Sequence, residues 1–445
     1  MAAQVVACFL VRFDVHVGYE LVWQDSVDKY FADGVEFKAL PSGLHSVPSD
    51  TVVFTHDCNG KKCYGLAVFH QNNALGSVDP NGGSGVDRSQ VKMYSLGILI
   101  DPEESNTAWK LQATSKIWNY RSELTELVKS FVYDVDEKSA LENVKSFFKK
   151  NKLGNSVTKI DAASPNAISN SSDHMIDSLI NLYSRMGPLI YKLWRLCLLR
   201  KRILIVSNDD TVGDLCKFVY CMSVISSIPV ELKPKLYHSG ARVDEVSKPA
   251  FNFGISDPPH FSNWIATTKD EIILQKTGMW DYVVDLNELG ITGSDGTKYW
   301  ATPTDLERFK LVYPKLVDSH AEAPDFSRIC ENSWEFIWSS LKWWASAGEV
   351  SQPFDLEFEF DDVTGVMTIV VLMGYFQKMT TRIFSVLIGA INDDEMVTLD
   401  AQDLIEMGLD GYNESDWQWV EQLVETWWGF KVKRVGILSD LCCWG

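Results

Sequence analysis

The 445-residue sequence lacks the short motifs that mark common enzyme active sites. It contains no Gly-x-x-x-x-Gly-Lys-Ser/Thr phosphate loop, no Gly-x-Gly-x-x-Gly after a strand, no His-Glu-x-x-His and no Gly-x-Ser-x-Gly. The glycine-rich run at 81–85 precedes neither a helix nor a lysine, and the eight histidines are dispersed. We therefore assign no catalytic residue and predict a protein that is not an enzyme and needs no cofactor.

The sequence also lacks a long apolar run, a basic leader and cysteines at zinc-binding spacing. Its longest apolar tract, residues 366–376, is about eleven residues and too short to span a bilayer. Met1 is followed by Ala-Ala-Gln and a strand-like run, so we expect no signal peptide. The nine cysteines are scattered, and Cys58 and Cys63 have no second pair at zinc spacing. These absences predict a cytoplasmic protein without a metal, in contact with membranes only peripherally or through a partner.

Basic residues are scarce, since 41 Lys and Arg stand against 60 Asp and Glu, a net charge of −19. Such a balance argues against nucleic-acid binding. Residues 301–445 hold 25 acidic and 10 basic side chains and nine of the 16 Trp. This segment is interpreted either as a surface for a basic partner in a protein complex or as a charged face that keeps a Trp-rich module soluble.

What is present indicates three folded units. Residues 5–15 alternate between apolar and polar, which predicts a half-buried strand, and Asn59-Gly60 predicts a tight hairpin. The first unit, residues 1–133, is therefore a predicted α+β module with helices and a five-stranded antiparallel sheet, at 5–15, 19–23, 51–56, 63–69 and 91–100. A helix and a polar linker follow at 134–172.

After the linker, the spacing of apolar residues changes from the two-residue alternation of strands to the repeat of helices. A helix at 189–199 leads through Arg200-Lys201-Arg202 into a short apolar strand at 203–206, and a second helix begins near 212. Residues 173–300 are therefore predicted to form a layered α/β core, and residues 301–445 a mainly helical, acidic, Trp-rich lobe. Asp209 and Asp210 precede the second helix, where they are interpreted as N-terminal caps or as partner contacts.

Four segments of the sequence resemble one known family. They are GVEFKALPSGLHSVP (34–48), GPLIYKLWRLCLLRKRILIVS (187–207), GDLCKFVYCMSVIS (213–226) and DLIEMGLDGYNESDWQWVEQLVETWWGFKVKR (403–434). Together they resemble the DENN-domain family, and in particular a fungal member of its short, LCHN-like branch. The resemblance covers nearly the whole chain.

The resemblance implies a longin-like module at 1–133, a core DENN lobe at 173–300 and a downstream DENN lobe at 301–445. It also implies a guanine-nucleotide exchange factor for a Rab-family small GTPase in vesicle or endosomal traffic. The GTPase would dock in a cleft between the first two lobes. Residues near that cleft are then expected to bind it, namely Glu36, Lys38, His45, Asp209 and Asp210.

Two other functions stay open. Arg88, in the loop before the fifth strand, is a candidate arginine finger that would stimulate GTP hydrolysis. Alternatively, the protein is a non-catalytic adaptor that binds a GTPase equally in all nucleotide states, with the acidic Trp-rich lobe as its working surface. Family members with demonstrated activity are often longer than this chain. Whether the chain is active alone or within a complex therefore stays open.

Overall fold

The computed structural model describes most of the chain. The described residues are 5–14, 16–27, 30, 32–40, 47–72, 91–102, 116–133, 136–152, 174–243, 247–255, 259, 262–317, 323–330, 366–392 and 395–435. Of the residues singled out from the sequence, His45 and Arg88 lie outside this set.

A single mixed sheet of eleven strands runs through the described part of the protein. Its antiparallel half contains β1 Val5–Asp14, β2 Gly18–Ser26, β3 Ser49–Cys58, β4 Lys61–Gln71 and β5 Met93–Ile100. The other half contains β6 Ile203–Val206, β7 Lys248–Asn252, β8 Trp264–Thr267, β9 Tyr282–Asp285, β10 Gly290–Gly293 and β11 Lys298–Tyr299. The strand order is β11-β10-β9-β6-β8-β7-β3-β4-β5-β1-β2. The five strands predicted for the first unit are all present.

Turn residues explain why β3 and β4 pair antiparallel. Asn59 and Gly60 close the β3–β4 hairpin with positive φ angles of 53° and 84°, as the Asn-Gly pair predicts. In the other half, β6, β7, β8 and β9 are parallel, and α-helices connect or flank them. The fold class is therefore mixed α/β with one large sheet.

Helices cover both halves of the sheet and make up most of the described C-terminal region. They are α1 Glu36–Ala39, α2 Arg121–Tyr133, α3 Glu137–Asn151, α4 Leu179–Met186, α5 Leu189–Leu198, α6 Val212–Ile225, α7 Lys233–His238, α8 Glu271–Gln275, α9 Pro303–Val317, α10 Val366–Gly389, α11 Ala401–Glu406 and α12 Glu414–Trp428. A small parallel pair, β12 Met396–Leu399 and β13 Lys431–Arg434, accompanies the last two. Among the described helices, none combines the length and the apolarity that crossing a membrane requires.

The two halves of the sheet meet at β3 and β7. Phe54 of β3 pairs in parallel with Asn252 of β7. Beside this pairing, α6 lies against β3, and the Cys216 thiol contacts the Val53 carbonyl oxygen at 3.5 Å. The division of the chain at 133, 172 and 300 stays a prediction, and the structure adds that the sheet is continuous from one side to the other.

The Asp50 carboxylate binds the first turn of α6. Its two oxygens accept the backbone N–H groups of Val212 at 2.8 Å and Gly213 at 3.0 Å. A Cβ on Gly213 would lie within 2.8 Å of the Thr51 carbonyl oxygen, so only glycine allows this approach. Burial raises the pKa of Asp50, and the donated backbone hydrogen bonds oppose that rise. A side chain of β3 thus caps a helix of the other half.

A buried cluster of charges fixes the C-terminal helices to α5. Arg195, 2% exposed, forms ion pairs with Asp305 of α9 and with Asp416 of α12, the latter at 3.3 Å. Trp419 and Trp427 of α12 donate their indole N–H groups to carbonyl oxygens of α5 at 3.1 and 2.8 Å. Because a buried charge without its partner is costly, these contacts hold α9 and α12 in fixed positions.

We expect Asp50→Ala to lower the free energy of unfolding by about 1–3 kcal/mol, because it leaves two buried N–H groups without an acceptor. Glu126→Ala is the control. Glu126 is 74% exposed and pairs with Lys129 at 2.8 Å, so its loss costs at most about 1 kcal/mol. Denaturant unfolding measures both variants. Equal losses would contradict the role assigned to Asp50.

We expect Arg195→Met to cost about 3–5 kcal/mol, because buried Asp416 loses its ion pair and buried Asp305 keeps only Arg308, at 3.7 Å. The matched control is Arg434→Ala, which removes partly exposed ion pairs to Glu414 and Glu421 and costs about 1 kcal/mol. Chemical unfolding followed by tryptophan fluorescence tests the difference. A loss for Arg195→Met no larger than the loss for Arg434→Ala would show that the cluster does not anchor the C-terminal helices.

Candidate functional site

A polar cleft opens where the two halves of the sheet join. Its volume is about 230 Å³, and it lies between the start of β3, the first turns of α2 and the first turns of α6. We call it the junction cleft, and its lining includes Ser49, Asp50, Thr51, Trp118, Arg121, Thr125, Thr211, Gly213, Asp214 and Lys217. Small-molecule pockets usually have volumes of roughly 300–1,000 Å³. The junction cleft is smaller than that, so it suits a protruding side chain of a protein partner better than a cofactor.

Two cations flank one aromatic ring in the junction cleft. The Arg121 guanidinium lies 5.5 Å and the Lys217 ammonium 5.8 Å from the Trp118 ring centre. Arg121 also donates to the Thr51 hydroxyl at 3.1 Å, and Lys217 pairs with Asp214 at 3.1 Å. The wall therefore carries both positive and negative groups, which can pair with polar groups of either sign.

The loop after β6 forms the neighbouring rim. The Ser207 hydroxyl accepts the backbone N–H groups of Asp209 and Asp210, each at 3.2 Å. Lys269, which follows β8, donates from its ammonium to the Ser207 and Asn208 carbonyl oxygens at 2.5 and 3.3 Å. Burial lowers the pKa of Lys269. The carboxyl ends of two parallel strands thus hold this loop in place, where ligands of open α/β sheets commonly bind.

The structure separates the roles of Asp209 and Asp210. Arg185 donates from one nitrogen to both Asp210 carboxylate oxygens at 2.6 Å and reaches the Leu286 carbonyl oxygen at 3.3 Å. Asp209 is exposed and accepts a hydrogen bond from the Asn287 side-chain amide. The prediction that these two residues cap the next helix is wrong, because the N-cap of α6 is Thr211, whose hydroxyl accepts the Asp214 N–H at 3.1 Å.

Glu36 and Lys38 lie on α1, away from this loop. Lys38 is only 8% exposed, and its ammonium donates to the Thr55 carbonyl oxygen at 2.6 Å and lies 3.5 Å from His56 Nδ1. Between them, Phe37 is 57% exposed. Sequence reasoning missed Phe37, because an apolar residue beside a lysine is ordinarily assigned to the core. Whether Glu36, Lys38, His45, Asp209 or Asp210 binds a partner stays a prediction.

The cysteine, histidine and acidic side chains that the structure describes form no metal site. Within the described ranges, no group of three or more His, Cys, Asp and Glu side chains is arranged to hold a metal ion. Cys58 and Cys63 are buried free thiols. A hydrogen bond with Cys58, together with burial, raises the pKa of the Cys63 thiol. Cys63 is therefore protonated at neutral pH and a poor nucleophile.

We expect Asp210→Ala to lower the free energy of unfolding by about 1.5–3 kcal/mol, because Arg185 loses its charged acceptor. Asp209→Ala serves as the neighbouring control, and its exposed position predicts a change within about 0.5 kcal/mol. Thermal and denaturant unfolding distinguish the two variants. If Asp209→Ala lowers the free energy of unfolding more than Asp210→Ala does, Asp210 is not the residue that stabilises this loop.

Comparison with known proteins identifies the family. A family model described as DENN domain-containing protein 11 matches residues 8–294, and one described as Domain of unknown function (DUF4484) matches residues 390–442. The uncharacterized protein ANR2 of Saccharomyces cerevisiae is 28% identical over 508 residues, covering 98% of this chain and 94% of that protein. DENN domain-containing protein 11 of Danio rerio is 25% identical over 457 residues, covering 99% of this chain and 78% of that protein. The resemblance to DENN-domain proteins is thereby confirmed, and the chain belongs to the DENN domain-containing protein 11 family.

Proposed function

We propose that this protein is a guanine-nucleotide exchange factor for a Rab-family small GTPase, which it engages at the junction cleft. DENN-domain proteins generally act as exchange factors for Rab GTPases, and the chain belongs to one of their families. The observation that carries the proposal is the cleft itself, because residues of the antiparallel half-sheet and α2 line it together with the first turns of α6. The N-terminal unit, residues 1–133, would be its longin-like part and residues 173–300 its core.

Exchange requires no covalent chemistry. An exchange factor binds the nucleotide-free GTPase more tightly than the loaded form, and by linkage it weakens nucleotide binding by the same factor. Each tenfold weakening needs about 1.4 kcal/mol of preferential contact. A few well-placed polar groups on a rigid surface supply that energy, which agrees with the absence of common catalytic motifs from the sequence.

The rigidity of the junction cleft suits this task. Asp50 joins one wall to the other, Gly213 allows their close approach, and Lys269 fixes the adjoining loop. A preorganised surface spends little binding energy on its own ordering, so more is left to displace nucleotide. Asp209 and Lys217, on the exposed loop and on the cleft wall, are the proposed polar contacts. We further propose that the protein acts in the cytoplasm, peripherally on vesicle or endosomal membranes.

The test is release of fluorescent GDP from a panel of Rab GTPases. We expect the wild-type protein to accelerate release from one member or a small subset, and Lys217→Ala to slow that release about tenfold. Lys310→Ala is a matched control, because Lys310 forms the same kind of i,i+3 ion pair, with Glu307 at 2.8 Å, as Lys217 forms with Asp214. Its exchange rate should equal the wild-type rate.

Other outcomes would change the assignment. A wild-type protein that accelerates no GTPase contradicts the proposal, and equal binding to nucleotide-free, GDP-loaded and GTP-loaded forms would indicate an adaptor. Stimulated GTP hydrolysis that is lost in Arg88→Ala would indicate an arginine finger instead. If the Lys217 and Lys310 variants change the rate of GDP release equally, Lys217 of the junction cleft is not a GTPase contact.

A further inference from the structure

An open groove lies between α7 and the C-terminal end of α10. Its volume is about 560 Å³, and the described residues that line it are Pro234, Lys235, His238, Ser239, Ile388 and Ile391. We call it the α7 groove. Its volume falls within the roughly 300–1,000 Å³ of usual ligand pockets, which are also mostly apolar with a few polar groups. Most of the α7 groove's own surface is apolar, so the groove has the size and the lining of a ligand site.

Both walls of the α7 groove are held by contacts within the protein. The Ser239 hydroxyl accepts the indole N–H of Trp428 of α12 at 3.0 Å and donates to the Leu236 carbonyl oxygen at 2.8 Å. At the end of α10, the Ala390 carbonyl oxygen accepts the Thr398 N–H at 3.2 Å. The groove is therefore preformed, and a ligand would spend little binding energy on ordering it.

Positive charge surrounds the α7 groove, although the net charge of the chain is −19. Residues 229–243 hold three Lys and Arg residues against one acidic residue. Lys233 and Lys235 form no ion pair with any residue in the described ranges. His238 Nδ1 donates to the Pro234 carbonyl oxygen at 2.6 Å, which orients the ring beside Lys235. A ligand that complements the groove therefore combines an apolar part with a negative charge.

Exposed apolar side chains stand beside these cations. Leu232 and Leu236 are buried, so the opposite side of α7 faces solvent. Tyr237 on α7 is 52% exposed, and Val230 in the turn before α7 is 63% exposed. Tyrosine is enriched where membrane and water meet, since its ring sits at the level of the lipid headgroups. A water-soluble anion would leave both side chains in water, whereas a lipid within a membrane uses the groove, the cations and the exposed apolar groups together.

We propose that the α7 groove is a binding site for one anionic phospholipid of a membrane. An acyl chain lies along Pro234, Ile388 and Ile391, and the ammonium groups of Lys233 and Lys235 pair with the phosphate. Tyr237 and Val230 enter the surrounding interface. This inference does not depend on nucleotide exchange, and it gives the proposed peripheral membrane contact a place on the molecule.

The first measurement is sedimentation of the full chain with vesicles, without a GTPase. Phosphatidylcholine vesicles with about one-fifth phosphatidylserine should bind the wild type at least about tenfold more tightly than pure phosphatidylcholine vesicles. Lys235→Ala should weaken binding to the anionic vesicles about fivefold, the contribution of one cation near such a surface. Lys298→Ala is the charge-matched control, because Lys298 is exposed on β11 and forms no ion pair with a described residue, and it should bind as the wild type does.

The second measurement separates the lipid from its headgroup. Calorimetry should show one molecule of the water-soluble lipid dihexanoyl phosphatidylserine bound per chain. Glycerophosphoserine, which lacks the acyl chains, should bind at least about tenfold more weakly, because every buried CH₂ group adds affinity. Ile391→Asp should abolish lipid binding, since it places a negative charge in the groove. Circular dichroism melting checks its fold, and if Ile391→Asp is unfolded, the two lysine variants decide.

Each other outcome would overturn the lipid site. Equal vesicle binding by the Lys235 and Lys298 variants would show that the attraction is not local to α7. Binding to vesicles without binding of the single short-chain lipid would leave a charged surface and no occupied groove. Equal affinity for glycerophosphoserine would indicate a site for a soluble anion. A wild type that binds none of these probes contradicts the inference and leaves the proposed exchange function untouched.

Discussion

The hydrogen bonds from Val212 and Gly213 to the Asp50 carboxylate are the contact on which the rest of the structure depends. The first N–H groups of a helix have no partners within the helix and carry a partial positive charge, so they bind anions. Here the anion is a side chain of β3. It joins the antiparallel half of the sheet to the parallel half and fixes the two walls of the junction cleft relative to each other.

A second constraint comes from burial of charge. Arg195 and its two aspartates tie α9 and α12 to α5, and the indole donors of α12 bind the same helix. Such a cluster tolerates little displacement, because each charge depends on the others for compensation. The acidic, Trp-rich region therefore contributes framework around the core, at least for the tryptophans that the structure describes. The exposed features, Asp209 and Phe37, lie elsewhere on the surface.

Much of the fold could be predicted from local patterns. Alternation over 5–15, the Asn59-Gly60 turn and the apolar run at 203–206 each specify their element through neighbouring residues alone, and all three elements are present. The prediction that the first strand is half-buried is wrong, because Val5 to Val11 are buried on both faces of the sheet. Continuity of the sheet could not be predicted, because the Phe54–Asn252 pairing joins strands far apart in sequence. The family resemblance named the partner class but could not locate contacts.

Individual side chains show what the sequence could not reveal about the site. Lys38 stays a predicted partner contact, and the structure adds that its long stem carries the ammonium inward to the Thr55 carbonyl oxygen. Asp50 was not singled out, since nothing in its sequence neighbourhood indicates a helix that begins 162 residues later.

The central claim is that one GTPase engages both walls of the junction cleft. Hydrogen–deuterium exchange, with and without nucleotide-free GTPase, tests this directly. The account predicts added protection in peptides covering both 47–53 and 207–217, and protection confined to α12 and β13 would contradict it.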